Sequence, residues 1–173
     1  KEEGIQQLEK IIKRVLEDKA RFERELRIRQ QQETLKTKSF KALKGQLPWP
    51  ADGRIISKFG RQWNSKLKTT TENPGIDIKG KPGSSIRTVL GGVVTTITYI
   101  RGYGTTIIVD HGGGFYTVYS HVTNIQTNVD SQVRNGDVIA YMGDSGSING
   151  SKLHFEIWGK GQKLDPEKWL RKK

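Results

Sequence analysis

No proline occurs before Pro48, and a second follows at once in Leu47-Pro48-Trp49-Pro50. A helix running toward this point has to stop there. The proline ring fixes φ, removes a backbone donor and disfavours helical geometry in the residue before it. All but one of the 20 glycines also lie from Gly45 onward. The chain is therefore expected to divide into a helical arm and linker over residues 1–44 and a turn-rich domain over residues 45–173.

In the first part, Ile5, Leu8, Ile12, Val15, Phe22 and Leu26 recur at alternating spacings of three and four, broken only where Lys19 takes a core position. That is a heptad seam, the pattern of a coiled coil. Ile11 and Leu16 lie beside the seam and widen it. Glu, Lys, Arg and Gln fill most other positions, and a helix so polar elsewhere is marginal alone. It is expected to pair with another helix, in the same chain or a second one. Over residues 30–44 the pattern weakens, although Leu35, Phe40 and Leu43 could still form a short apolar helical face.

From Gly45 the chain becomes β-branched, aromatic and punctuated by glycine. Strands are predicted at residues 55–59, 76–79, 85–90, 93–100, 105–110, 115–121, 138–142 and 153–158. Turn signals at Gly91-Gly92, residues 102–104 and 112–114, and Asn135-Gly136 separate several of them. The expected fold class is mainly β, an antiparallel domain preceded by an α-helical coiled-coil arm.

Composition removes several function classes. Lys and Arg number 30 against 18 Asp and Glu, a net charge of +12, which predicts attraction to anionic surfaces. No basic helix with interleaved stacking aromatics and no nucleic-acid motif accompanies it, so a soluble basic surface is expected rather than nucleic-acid binding. With no cysteine, disulfides, thiolate zinc sites and cysteine nucleophiles are excluded. No apolar run approaches the ~18 residues of a membrane span. Lys1 opens inside a helical pattern, so any export signal is expected upstream.

Four segments carry a resemblance. They are Asn73-Pro74-Gly75-Ile76-Asp77-Ile78, Tyr119-Ser120-His121-Val122, Val133-Arg134-Asn135-Gly136-Asp137-Val138-Ile139 and Lys152-Leu153-His154-Phe155-Glu156-Ile157. In this order they resemble the LytM (lysostaphin-type) zinc metallopeptidases over about residues 45 to 170. With the preceding coiled coil, Leu47-Pro48-Trp49-Pro50 and the closing Leu164-Asp165-Pro166-Glu167-Lys168-Trp169-Leu170 look most like the EnvC-type activators of murein amidases within that family.

The resemblance implies that Asp77 and His154 match two zinc ligands, and that His121 matches a histidine assisting the attacking water. It also implies two departures: Asn73 stands at the third ligand position and Lys152 at the second assisting histidine. A catalytic zinc needs about three protein donors and an open position for water. Asn73 offers only a neutral amide oxygen, and a protonated Lys152 has no lone pair to give. Residues two apart on a strand share a face, so Lys152 should emerge beside His154 and set a positive charge near Asp77. No metal and no cofactor is therefore expected.

Other polar motifs receive structural readings. His111 ends a strand before a glycine turn and is expected to be structural or exposed. Asn135-Gly136 supplies a tight turn. Asp144-Ser145-Gly146-Ser147 lacks the strand-to-helix elbow of a serine hydrolase.

The function implied by the resemblance is non-catalytic: activation of peptidoglycan amidases (N-acetylmuramyl-L-alanine amidases) during cell division and daughter-cell separation, outside the cytoplasm in the periplasm or cell envelope. The amidase would bind a groove formed by Asn73, Asp77, Tyr103, His121, Lys152 and His154. An FtsEX-type transporter would couple through the coiled coil, with peptidoglycan as a further partner. The arm, through Leu35, Phe40 and Leu43, is expected to cover the groove until it moves. The alternatives are a zinc-dependent peptidoglycan endopeptidase and a non-catalytic peptidoglycan-binding scaffold.

Overall fold

The computed structural model describes residues 2–144, 147 and 150–173, with side chains described except at residues 2–3 and 30–39. It begins with one helix, α1 (Glu2–Ala42). The strands that follow are β1 (Arg54–Ser57), β2 (Gly60–Asn64), β3 (Thr69–Asn73), β4 (Ile76–Lys79), β5 (Ser85–Arg87), β6 (Gly92–Ile100) and β7 (Gly104–Gly112). After them come β8 (Phe115–Ser120), β9 (Val122–Thr123), β10 (Gln132–Val133), β11 (Val138–Met142), β12 (Lys152–Gly159) and β13 (Gln162–Leu164), closed by a short helix, α2 (Pro166–Trp169). Two compact units result, Lys1–Leu35 and Lys36–Lys173. The second begins ahead of the expected boundary at Gly45.

In the first unit the chain is a single helix. Every described side chain from residue 4 to 29 is exposed, the seam residues Ile5, Leu8, Ile12, Val15, Phe22 and Leu26 among them.

The second unit is the expected antiparallel β domain. An eight-stranded sheet runs β1-β4-β12-β8-β7-β6-β10, with β13 beside the far half of β12. A three-stranded sheet, β5-β11-β9, lies apart from it, and β2 pairs with β3 as a hairpin. Alternation along the strands builds the core. Ile76 and Ile78 of β4, Leu153, Phe155 and Ile157 of β12, Tyr119 of β8, and Ile107 and Val109 of β7 are buried together with Ile86, Ile139 and Met142 of the smaller sheet. The hairpin and the short β9, β10 and β13 were not predicted. Their side chains are largely exposed, so burial imposes no alternation for a pattern to reveal.

The domain also claims the end of α1. Phe40 is fully buried, with its ring 4.6 Å from Phe115 and 5.3 Å from Trp169, centroid to centroid. Leu43 packs against the same core. Asp165 caps α2 by accepting from Glu167 N, and Trp169 O then accepts from both Gly45 N and Leu47 N. The last turn of α1 and the end of the chain thus close one end of the domain together. This corrects the expectation for Phe40 and Leu43: they serve the domain's interior, because the aromatic cluster offers Phe40 complete burial. The Leu35 side chain lies outside the described residues.

His111 is structural, as expected. It is buried, with Nδ1 2.8 Å from Gly91 O and Nε2 2.7 Å from Thr117 Oγ1.

Candidate functional site

One face of β12 is apolar and the other is charged. Leu153, Phe155 and Ile157 enter the core, while Lys152, His154, Glu156 and Trp158 share the opposite face. Pairing with β4 places Asp77 directly across from His154. Lys152 Nζ donates to Asp77 Oδ2 at 3.2 Å. His154 lies between two carboxylates, Nδ1 2.6 Å from Asp77 Oδ1 and Nε2 2.7 Å from Glu156 Oε2. Trp158 Nε1 donates to Glu156 Oε1 at 2.8 Å. The result is an alternating row of charge, Lys152, Asp77, His154, Glu156, set into the sheet.

Burial would push the Asp77 carboxyl up, but the hydrogen bond and charge of His154, followed by Lys152, more than reverse this and hold it below the usual carboxylate value. Burial would likewise push His154 down, yet Asp77 and Glu156 hold it above the usual histidine value. The imidazole is therefore stabilised as a cation. Lys152 is only 11% exposed, and its ion pair places it in the groove floor rather than in water, as the strand geometry implied.

Asn73 ends β3 and has two local partners. Its Nδ2 donates to Ser57 Oγ at 2.9 Å, and its Oδ1 accepts from Gly75 N at 3.1 Å. A Cβ at Gly75 would collide with the Phe155 carbonyl, so this turn needs glycine to bring β4 against β12. His121 is buried in a left-handed backbone conformation, φ 62°, which costs about 1–2 kcal/mol for a residue with a Cβ. Two hydrogen bonds hold it there: its N donates to Tyr103 O at 2.9 Å, and its O accepts from Gly143 N at 3.2 Å. Tyr103 sets its ring edge-on to His154 at 5.4 Å. Burial, then the Glu156 charge, pushes its phenol up.

Asn73, Asp77, Tyr103, His121, Lys152 and His154 all line one open depression of about 320 Å³, with Pro74 and Gly102. Every groove position expected from sequence is thus brought together. Leu43 lines a different depression with His111 and Val133, and Phe40 reaches neither.

Sequence reasoning missed Glu156 and Trp158 as part of this site. The signal was the two-residue alternation from Lys152 to Trp158, which puts all four side chains on one face. Further along that face Trp158, Tyr116, Val118, Ile108, Thr95 and Gly161 frame an apolar depression of about 350 Å³.

Asp77 carries Lys152 and His154, both ring nitrogens of His154 face carboxylates, and the Asn73 oxygen accepts from the backbone. Among the described residues no three His, Cys, Asp or Glu side chains converge on a point a metal could occupy. Nor is any helix among them long and apolar enough to cross a membrane.

Residues 71–166 match peptidase family M23. The chain belongs to that family. Over 129 residues it is 33% identical to the murein hydrolase activator EnvC of Escherichia coli, a match covering 75% of this chain and 30% of that protein. It is 35% identical over 123 residues to the murein hydrolase activator NlpD of the same organism, covering 70% and 30%. The chain therefore spans under a third of these relatives. A zinc-containing peptidase from Vibrio cholerae shares the fold, with a TM-score of 0.66 and 22% identity over 75% of this chain and 41% of its own.

Proposed function

We propose that this chain is a non-catalytic activator of peptidoglycan amidases, acting in the cell envelope during division and daughter-cell separation. Its β domain binds the amidase through the depression lined by Asn73, Asp77, Tyr103, His121, Lys152 and His154. The observation that carries this reading is the row of charges from Lys152 to Glu156. A hydrolytic site needs free donor lone pairs and an activated water, whereas here the ammonium of Lys152 and the imidazole of His154 are both matched to carboxylates. Such a floor is preorganised and has its internal charges satisfied, and it suits recognition better than turnover.

The names of EnvC and NlpD support the activating role. The apolar depression beside Trp158 adjoins the charged floor on the same face, as a protein-binding surface with an apolar patch and polar neighbours requires. Coupling to an FtsEX-type transporter through the arm, and contact with peptidoglycan through the basic surface, are further parts of this proposal.

The test is digestion of purified cell wall by an envelope amidase with and without the chain. The chain alone should release no peptide fragments and bind no stoichiometric zinc, while its addition should raise amidase turnover. Tyr103→Ala should weaken that activation at unchanged fold. Chelator-sensitive release of peptides by the chain itself would replace this reading with an endopeptidase.

A further inference from the structure

We propose that the tip of the β2–β3 hairpin anchors the chain to an anionic lipid surface. Trp63 and Leu67 enter the headgroup layer while Lys66 and Lys68 meet its charges. The argument rests on this hairpin alone and does not depend on the amidase-binding groove.

β2 and β3 form a sheet of their own, and every residue from 63 to 72 is exposed. Folding therefore gives this tip no interior to pack on. Leu67 is 70% exposed and Trp63 65%, and among the described residues no other large apolar side chain is as exposed as Leu67. The tip is nonetheless shaped. Asn64 Oδ1 accepts from Lys66 N at 3.0 Å and from Leu67 N at 3.2 Å, and Lys68 takes a left-handed backbone, φ 52°. Asn64 thus closes the turn that holds Leu67 between two lysines. The charge along this stretch has one sign: from residue 53 to 71 the chain carries Arg54, Lys58, Arg61, Lys66 and Lys68 and no acid.

A protein pocket that took Trp63 and Leu67 would have to set an acid against each neighbouring lysine. A bilayer carrying anionic lipid supplies apolar depth and a dense negative plane together. Tryptophan favours the headgroup level, and lysine stems lie along apolar chains with their ammonium groups raised toward the phosphates. Each lysine near such a surface adds attraction. Strand pairing sets Trp63 opposite Thr70 and Gly60 opposite Asn73, so Trp63 and the groove residue Asn73 fall on opposite faces of the hairpin. The face that carries Trp63 is thus not the one that Asn73 gives to the groove.

The test is flotation of the 173-residue chain with vesicles of phosphatidylglycerol and phosphatidylcholine in equal parts, against vesicles of phosphatidylcholine alone. The net charge of +12 draws the chain to any anionic surface, so the decisive variants keep the charge. Trp63→Ala with Leu67→Ala should weaken binding to the mixed vesicles at least ~10-fold. Tyr99→Ala removes an equally exposed ring from β6 and should change binding by less than ~2-fold. Lys66→Gln with Lys68→Asn, asparagine suiting the left-handed position, should weaken binding and reduce its dependence on salt. Trp63→Phe should keep binding but lose most of the quenching of tryptophan emission by brominated acyl chains. Undiminished binding by the Trp63 and Leu67 double variant, or no quenching in the parent chain, would overturn the proposal. So would co-sedimentation with purified cell wall that needs Trp63 and Leu67 while vesicles stay unbound, which would give the tip to a saccharide polymer.

Discussion

Ile5 and Phe40 are apolar residues of one helix, yet Ile5 is 59% exposed and Phe40 is 0% exposed. The difference lies in what each unit can offer. Near Phe40 the domain supplies Phe115, Trp169 and His111, a set of rings that close over it within 5.3 Å. Around Ile5 the unit Lys1–Leu35 is a single helix whose described side chains are all exposed. Hydrophobic period marks a face that gains from being covered. It does not say by what, and here two apolar residues of one helix have different answers.

The largest expected effect would break this contrast at its buried end. Phe40→Ala removes a fully buried ring from a cluster with Phe115, Trp169 and His111 and should destabilise the domain by about 3–5 kcal/mol. Urea unfolding followed by tryptophan fluorescence measures this directly, since Trp169 lies in the same cluster. A loss under about 1 kcal/mol would return Phe40 to the arm. Next in size is Lys152→Met, which keeps the stem and removes the charge that faces Asp77. His154 still compensates that carboxylate, so the expected loss is about 1–3 kcal/mol. No change in the unfolding midpoint would mean that the ion pair contributes nothing in solution.

The fold was legible in sequence wherever burial enforced a period. The alternation in β12, β8 and β7 located three central strands to within a residue or two, and the proline pair located the end of α1. The β2–β3 hairpin escaped because Trp63, Thr70 and Thr71 are all exposed, leaving no face for a pattern to record. Phe40 was misplaced for a related reason: three apolar residues at helical spacing fit a mobile arm and a docked turn equally well. In the groove, Asp77, Lys152 and His154 could be placed from strand parity and resemblance. Glu156 could have been, since it lies two residues beyond His154. What parity cannot give is which ring nitrogen meets which carboxylate. That depends on the β4–β12 register, and hence on the close approach at Gly75.

The charged row carries a pH dependence with a defined sign. His154 is held above its ordinary 6.5, so its contribution is fully present below that value and is lost as pH rises through the folded-state value. Asp77 is held below its ordinary 3.8, so its contribution is present above that value and is lost as pH falls through the folded-state one. The row therefore stabilises the domain most between these two ordinary values. Unfolding free energy from this source should decline toward alkaline pH by at most about 1.4 kcal/mol per unit. His154→Gln should flatten that alkaline limb. An unaltered limb would assign the dependence to other groups.

The smallest expected effect is at the exposed end, and its smallness is the point. Leu8→Ala and Phe22→Ala remove side chains that are 58% and 61% exposed, so little apolar surface that folding would have hidden is lost. Alanine also favours helix more than either residue, which keeps the arm helical. The unfolding free energy of the 173-residue chain should then move by no more than about 0.5 kcal/mol, and its midpoint should not depend on protein concentration. A shift above about 1 kcal/mol, or a midpoint that climbs with concentration, would mean that copies of the chain already cover the seam in solution. Ile5 and Phe40 would then both be buried.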